Sequence, residues 1–225
     1  MAAKLGLITI GQAPRTDIIP IYRRILGPEV ELVETGALDG LTKTQVAELA
    51  PESADDLLVS RMADGSEVHL SQKALIPKIQ ACIDRLEAQS VVLTVLLCTG
   101  RFPSFRCAKV LIEPQRVIDG FIAALAQKEE NPIGVMVPSA KQAPWMRHNL
   151  ELLGVKPVIT ACSPYMEEGK LFQAAQEFTD ENIKFIVMHC VGYTLEMKEV
   201  VRRATGKPVV LANSLVARGV KELLV

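Results

Sequence analysis

Val91-Val92-Leu93-Thr94-Val95-Leu96-Leu97-Cys98-Thr99-Gly100 is a nearly unbroken apolar run that stops at a cysteine, a threonine and a glycine. A run of strand length with no polar alternation reads as a strand covered on both faces, and strands of that kind belong to parallel sheets flanked by helices. The same grammar returns near the end of the chain, where Phe185-Ile186-Val187-Met188-His189 leads into Cys190-Val191-Gly192. Two buried strands that each end in a thiol followed by small residues are the frame for everything else.

Working outward from those two stretches, apolar runs alternate with segments of helical period along the whole chain, which predicts βα units and the α/β class. Strands are predicted at Leu5–Ile10, Glu29–Val33, Val91–Leu97, Val110–Glu113, Ile133–Val137, Pro157–Thr160, Ile183–His189 and Pro208–Leu211. Helices are predicted at Pro14–Ile25, Gln72–Glu87, Pro114–Gln127, Ala143–Leu153, Glu167–Phe178, Leu195–Thr205 and Ser214–Leu224. Pro14, Pro114 and Pro144 fall where a first turn tolerates a missing N–H, Gly27 and Gly154 follow helix ends, and Asn213 stands where an N-cap would.

The two halves repeat. Gly11 through Gly27 parallels Pro138 through Gly154, each a polar loop, a helix and a closing glycine, and each half then runs on to its cysteine-ended strand. Gly11 to Cys98 takes 87 residues and Pro138 to Cys190 only 52, so the first half carries a surplus of about 35, read as an insertion over residues 36–70. Within it Leu57–Met62, Asp64-Gly65 and Ser66–Leu70 predict a β-hairpin with a type I′ turn, preceded by a short helix with Thr42 or Thr44 near its start. The organisation expected is two pseudo-symmetric lobes, residues 1–108 with 208–225 and residues 109–207. The insertion is expected as an edge addition, a lid or a dimer arm, which leaves a homodimer open.

Composition narrows the function. The 225 residues are 49% hydrophobic but 4% aromatic, with a formal net charge of −1 and no clustered Lys or Arg, so nothing has the electrostatic footprint of a nucleic-acid binder. No stretch reaches the roughly 18–20 apolar residues of a membrane span, and five cysteines without paired spacing predict reduced thiols in a cytoplasmic protein. No CxxC occurs and the histidines are dispersed, so no metal site is predicted; no GxGxxG, P-loop or nucleophile elbow occurs, so no cofactor is predicted either.

Cys98 and Cys190 should project from the carboxyl ends of their strands, where α/β sheets bind ligands. Opposed thiols across one cleft suit racemisation or isomerisation beside a carboxylate: one thiolate takes the proton from one face while the other thiol delivers a proton to the opposite face, with no cofactor. Backbone N–H groups of Thr99-Gly100 and Val191-Gly192 would hold a carboxylate. Thr9, Gly11, Gln12 and Arg15 on the first strand-to-helix loop match Ser139 and Lys141 on its counterpart, and Arg15 or Arg101 would pair with a carboxylate bidentately. Tyr193 either closes over a ligand or packs at a helix start. Cys82, Cys107 and Cys162 read as core thiols outside any strand end.

Over nearly its whole length the chain resembles the AroM family, a distant branch of the aspartate/glutamate racemase superfamily. The resemblance rests on Leu7-Ile8-Thr9-Ile10-Gly11, Leu111–Ile118, Ile133–Pro138, Cys190-Val191-Gly192 and Pro208–Arg218, the last of which includes Asn213. It implies a two-lobed racemase-like fold whose C-terminal helix returns to the first lobe. Amino-acid racemases of the superfamily usually follow the first cysteine with Asn-Thr and the second with Thr and often His. Here Thr99-Gly100 and Val191-Gly192 stand in those places, which points to a small carboxylic acid other than aspartate or glutamate. A rival reading, also implied by the family, makes the same site a metabolite-binding or regulatory one associated with aromatic amino acid (shikimate) biosynthesis.

Overall fold

The computed structural model describes residues 3–125, 132–166 and 168–224. The first half runs β1 (Ala3–Thr9), α1 (Ile19–Leu26), β2 (Val30–Gly36), α2 (Lys43–Ala47), β3 (Leu57–Arg61), β4 (Glu67–Ser71), α3 (Gln72–Ala88), β5 (Leu93–Leu97) and β6 (Val110–Ile112). The second half runs α4 (Pro114–Leu125), β7 (Ile133–Val137), α5 (Ala143–Leu152), β8 (Pro157–Ala161), α6 (Glu168–Ala175), β9 (Ile186–Met188), α7 (Leu195–Thr205), β10 (Val209–Leu211) and α8 (Ala212–Leu224). Ala126 and Gln127 of the helix predicted from Pro114, and Glu167 of the one predicted to Phe178, lie outside the described residues.

Each half builds a four-stranded parallel sheet with the same order. The first is β2-β1-β5-β6 and the second β8-β7-β9-β10, every neighbour parallel. β1 and β5 are fully buried from Leu5 and Leu93 onward, as unbroken apolar runs require. In each sheet the chain leaves the founding strand, β1 or β7, to one side and returns on the other. The crevice at their carboxyl ends is therefore a topological switch point, the place where open α/β sheets bind ligands.

The chain divides into two units, Met1–Gln115 with Ala217–Val225, and Arg116–Val216. The first unit's core joins Ile8, Ile10, Leu96 and Cys98 to Leu75, Ile79, Cys82 and Ile83 of α3. The second packs Ile118 and Ile122 of α4 with Val135, Val137, Leu150 and Val187. Strand β10, expected with the first lobe, pairs with β9 in the second sheet, because Val209–Leu211 align with Ile186–Met188. Only the chain from Ala217 belongs to the first unit.

Several local readings change. α1 starts at Ile19, not Pro14: the amides of Ala13 and Arg15 donate to Asp39 (2.8 Å) and Glu34 (2.8 Å), so this stretch is a tethered loop, and Pro20 takes the first-turn place. Asn213 lies inside the first turn of α8, which begins at Ala212, and is no N-cap. The β3–β4 hairpin forms with Arg61 opposite Glu67, but its turn is not type I′. Gly65 N donates to Met62 O (3.0 Å), Met62 N to Ser66 O (2.8 Å), and of the loop residues only Gly65 has positive φ (+89°). That is a type I turn closed by a glycine bulge, the usual three-residue hairpin loop. Thr42 caps α2 with a capping box through Gln45.

The insertion over residues 36–70 is not an edge addition. Its hairpin forms a separate two-stranded sheet, and Ala37, Leu38, Val46, Leu58, Met62 and Leu70 belong to the same buried cluster as Ile8, Leu96 and Cys98. Apolar residues at these positions close the carboxyl end of the first sheet. Among the described residues no helix is long and apolar enough to cross a membrane.

Candidate functional site

In the first unit the register pairs Thr9 with Leu97, so the loop beginning at Ile10 and the turn beginning at Cys98 leave adjacent strands at the same level. Cys98 is 7% exposed, and its sulfur accepts from the N–H of Gly100 (3.3 Å). Gly100 is closely packed: a Cβ there would come within 2.9 Å of Leu58 Cδ2 on the hairpin and 3.4 Å of Cys98 Sγ. The hairpin thus lies directly against the cysteine turn. Thr99 is half-buried beside it, while Arg101 is exposed and its carbonyl accepts from the Gln72 side chain.

Thr9, buried at the end of β1, is a hub whose hydroxyl oxygen accepts from Gly11 N (3.1 Å) and Arg15 Nη1 (2.9 Å). Arg15 is neither a surface group nor directed at solvent. It is 2% exposed and grips Asp17 through Nε (2.9 Å) and Nη2 (2.8 Å). Burial pushes the Asp17 carboxyl up, but the hydrogen bonds and charge of Arg15, with Arg61 behind it at 3.5 Å, hold it below the usual carboxylate range. Gln12 ties the loop to the insertion, donating to the carbonyls of Leu38 (3.3 Å) and Leu41 (3.1 Å) and accepting from Ala63 N (2.9 Å). Gly11 lies so close to the hairpin that a Cβ would meet the Arg61 carbonyl and come within 2.6 Å of Ser60 Oγ.

The second unit repeats the thiol turn. Met136 pairs with Met188, which brings the Ser139 loop beside the Cys190 turn. Cys190 is 6% exposed and its sulfur accepts from Gly192 N (3.4 Å), the same two-residue step as in the first unit. Val191 is buried, and a Cβ on Gly192 would meet Tyr165 Oη at 2.6 Å and Pro164 Cγ at 2.9 Å. Ser139 is half-buried, and its hydroxyl oxygen accepts from the amide of exposed Lys141 (3.4 Å). Tyr193 is fully buried with its hydroxyl donating to the Cys162 carbonyl, so it packs at the start of α7. Burial, then the neighbouring Cys190, Cys162 and Tyr165, hold its phenol well above the ordinary range.

Two features of this unit, Cys162 and His189, were not read from the sequence as part of the site, whereas Asn213 was. Cys162 follows β8 directly, so it too stands at a strand end, because that strand runs one residue further than its apolar pattern. Burial raises its thiol, partly offset by Lys170. His189, adjacent to Cys190 and 2% exposed, is pushed down to about 4 by burial, against the pull of Asp119, and is a neutral ring at pH 7. Asn213 is wholly buried with neither amide atom partnered among the described residues. A buried amide left unpaired costs about 1–3 kcal/mol. Among the described residues no group of three or more His, Cys, Asp or Glu side chains is arranged to hold a metal ion.

Each unit therefore presents one buried thiol at its switch point, held in a turn whose i+2 amide points at the sulfur. Solved structures with the same fold include a maleate isomerase from Pseudomonas putida (TM-score 0.65, 14% identity, covering 99% of this chain and 92% of that one). A liganded mutant of arylmalonate decarboxylase superposes with a TM-score of 0.63 at 15% identity, covering 99% and 92%. Glutamate racemase from Aquifex pyrophilus gives 0.60 at 16%, covering 99% and 84%. Comparison with the curated proteins gave no match. The family model described as AroM protein matches residues 5–224, and on that match the chain belongs to the AroM family.

Proposed function

We propose that the protein is a cofactor-independent enzyme acting at the carbon beside the carboxylate of a small acid, as a racemase, isomerase or lyase, with Cys98 and Cys190 as its acid/base pair. The observation that carries this reading is the duplicated thiol turn: Gly100 N to Cys98 Sγ at 3.3 Å and Gly192 N to Cys190 Sγ at 3.4 Å, each at the switch point of an identically ordered sheet. An amide aimed at sulfur is the donor a thiolate accepts from. In the racemase form one thiolate takes the α-proton, forming S–H and leaving an enolate, and the other thiol returns a proton to the opposite face. In the lyase form the C–C bond to a carboxylate breaks, CO2 leaves, and a thiol protonates the carbanion. Structural neighbours named for a racemase, an isomerase and a decarboxylase are consistent with this range.

Thr9, Gly11, Thr99, Gly100, Ser139, Val191, Gly192 and Asn213 are proposed to surround the ligand, Asn213 through its unpartnered amide. Arg15, Gln12 and Tyr193 act as positioning residues, since their polar groups hold the loops that carry the others. The test is a panel of small carboxylic acids in deuterated water. Deuterium should appear at the α-carbon, or CO2 be released; Cys98→Ala and Cys190→Ala should each lower inversion at least a hundredfold, because one-sided transfer cannot complete an inversion, while in the lyase form at least one of the two should lower CO2 release as much. Ligand binding with no exchange and no CO2, unchanged in both variants, would instead favour a metabolite sensor.

A further inference from the structure

A second cavity-forming feature lies in the second unit, close to the Cys190 turn. The loop after β8 and the first turns of α7 enclose a pocket of about 180 Å³ whose walls are Met166, Leu171, Met197 and Val200. Its rim carries Ser163, Thr194 and Glu196. Thr194 closes the segment that begins at Cys190, and Ser163 and Met166 flank Pro164 and Tyr165, the residues packed on Gly192. Pocket and thiol turn are thus linked through Pro164 and Tyr165.

Size and charge together define what fits. An apolar cavity of about 150 Å³ accommodates a benzene ring, so this pocket suits a phenyl-sized or branched alkyl group. Met166, 51% exposed, and Met197, half-buried, form adaptable sides for such a group. A carboxylate is poorly matched, because among the described residues no Lys or Arg lines the pocket and the charged residue there, Glu196, is itself an anion. The helix start, which would otherwise attract an anion, is already answered: Thr194 Oγ1 accepts from Met197 N (3.3 Å) and Glu196 puts a negative charge in the first turn.

We infer that this pocket is the side-chain subsite of the acid site, and that the substrate is a monocarboxylic acid bearing a phenyl-sized apolar group and not a dicarboxylate. The inference rests on the acid-site reading above but has its own readout. Protein labelled with 13C-methyl methionine is titrated with 2-phenylpropanoate, with acetate and glutarate as comparators, and Met166→Leu and Met197→Leu assign the two methyl signals. Both signals should shift saturably with the aryl acid, which should bind at least tenfold more tightly than glutarate. Val200→Phe, which fills the pocket, should weaken that binding at least tenfold, and Met197→Trp on the half-buried side should do the same should Val200→Phe not fold. Equal binding of glutarate and aryl acid, or the absence of any shift at these methyls, would overturn the subsite. Methyl shifts with the aryl acid but no deuterium exchange at its α-carbon would uphold the subsite and count against the thiol chemistry alone.

Discussion

Arg15→Met deletes the cation from a buried pair in which the guanidinium is 2% exposed and its partner Asp17 12%. Removing one member of such a pair strands the other charge, at a cost of about 3–5 kcal/mol. Arg61 remains 3.5 Å from Asp17, which puts the expected loss near the lower end, about 3 kcal/mol. For a chain of this size that corresponds to a fall in Tm of roughly 6–12 °C. Arg15→Met combined with Asp17→Asn should cost less than the sum of the two single changes, because no charge is left stranded. The pH dependence has a definite sign. Asp17 is held below its ordinary value of 3.8, so its contribution is complete above that pH and fades as the pH falls through the lower folded value. The deficit of Arg15→Met should therefore be full at pH 7 and shrink below about pH 4. Calorimetry across that range is the assay. A single variant within 1 kcal/mol of wild type at pH 7, with ligand affinity lost, would show that Arg15 grips substrate and refute the positioning role.

His189 makes the opposite kind of linkage. The unfolded imidazole binds a proton below about 6.5 and the folded one only near 4, so stability should fall by about 3 kcal/mol between those pH values, and His189→Gln should flatten the urea midpoint across them. Deleting residues 36–70 should abolish folding, and Leu58→Ala should cost about 2–4 kcal/mol in urea unfolding, because Leu58 is 5% exposed and packs in the first unit's core. A soluble, cooperatively melting deletion variant would show the insertion to be separable. Gly11→Ala should lower Tm measurably, since the added methyl meets a backbone carbonyl of the hairpin that cannot rotate away.

Strand runs were legible because burial on both faces writes itself as continuous apolar sequence: Leu93–Leu97 and Ile133–Val137 are buried at every position. The placement of Cys98 and Cys190 just past their strands was legible for the same reason. Side-chain commitments were not. Gln12 and Arg15 sit on a ligand-type loop in sequence, and only tertiary structure reveals that Leu38, Leu41, Ala63, Thr9 and Asp17 occupy their polar groups. Pro14 resembled a helix start, but long-range carboxylates from Asp39 and Glu34 took the loop amides. The insertion was visible as surplus by comparing the halves, a comparison that measures length and not packing, so its buried Leu38 and Leu70 escaped it. The sheet assignment of Pro208–Leu211 depended on pairing with β9, which no local pattern encodes.

The division of α8 between the two units sets an order of events during synthesis. Strands β1 to β6 leave the ribosome early, yet the closing segment of their unit, Ala217 onward, follows the whole of Arg116–Val216. At about 5–20 residues per second, those 101 residues delay completion of the first unit by roughly 5–20 s. During that interval the nascent first unit holds its Cys98 turn and hairpin without the helix that finishes it, while the second unit, contiguous in sequence, has everything it needs. The unit made first is thus the last to be completed.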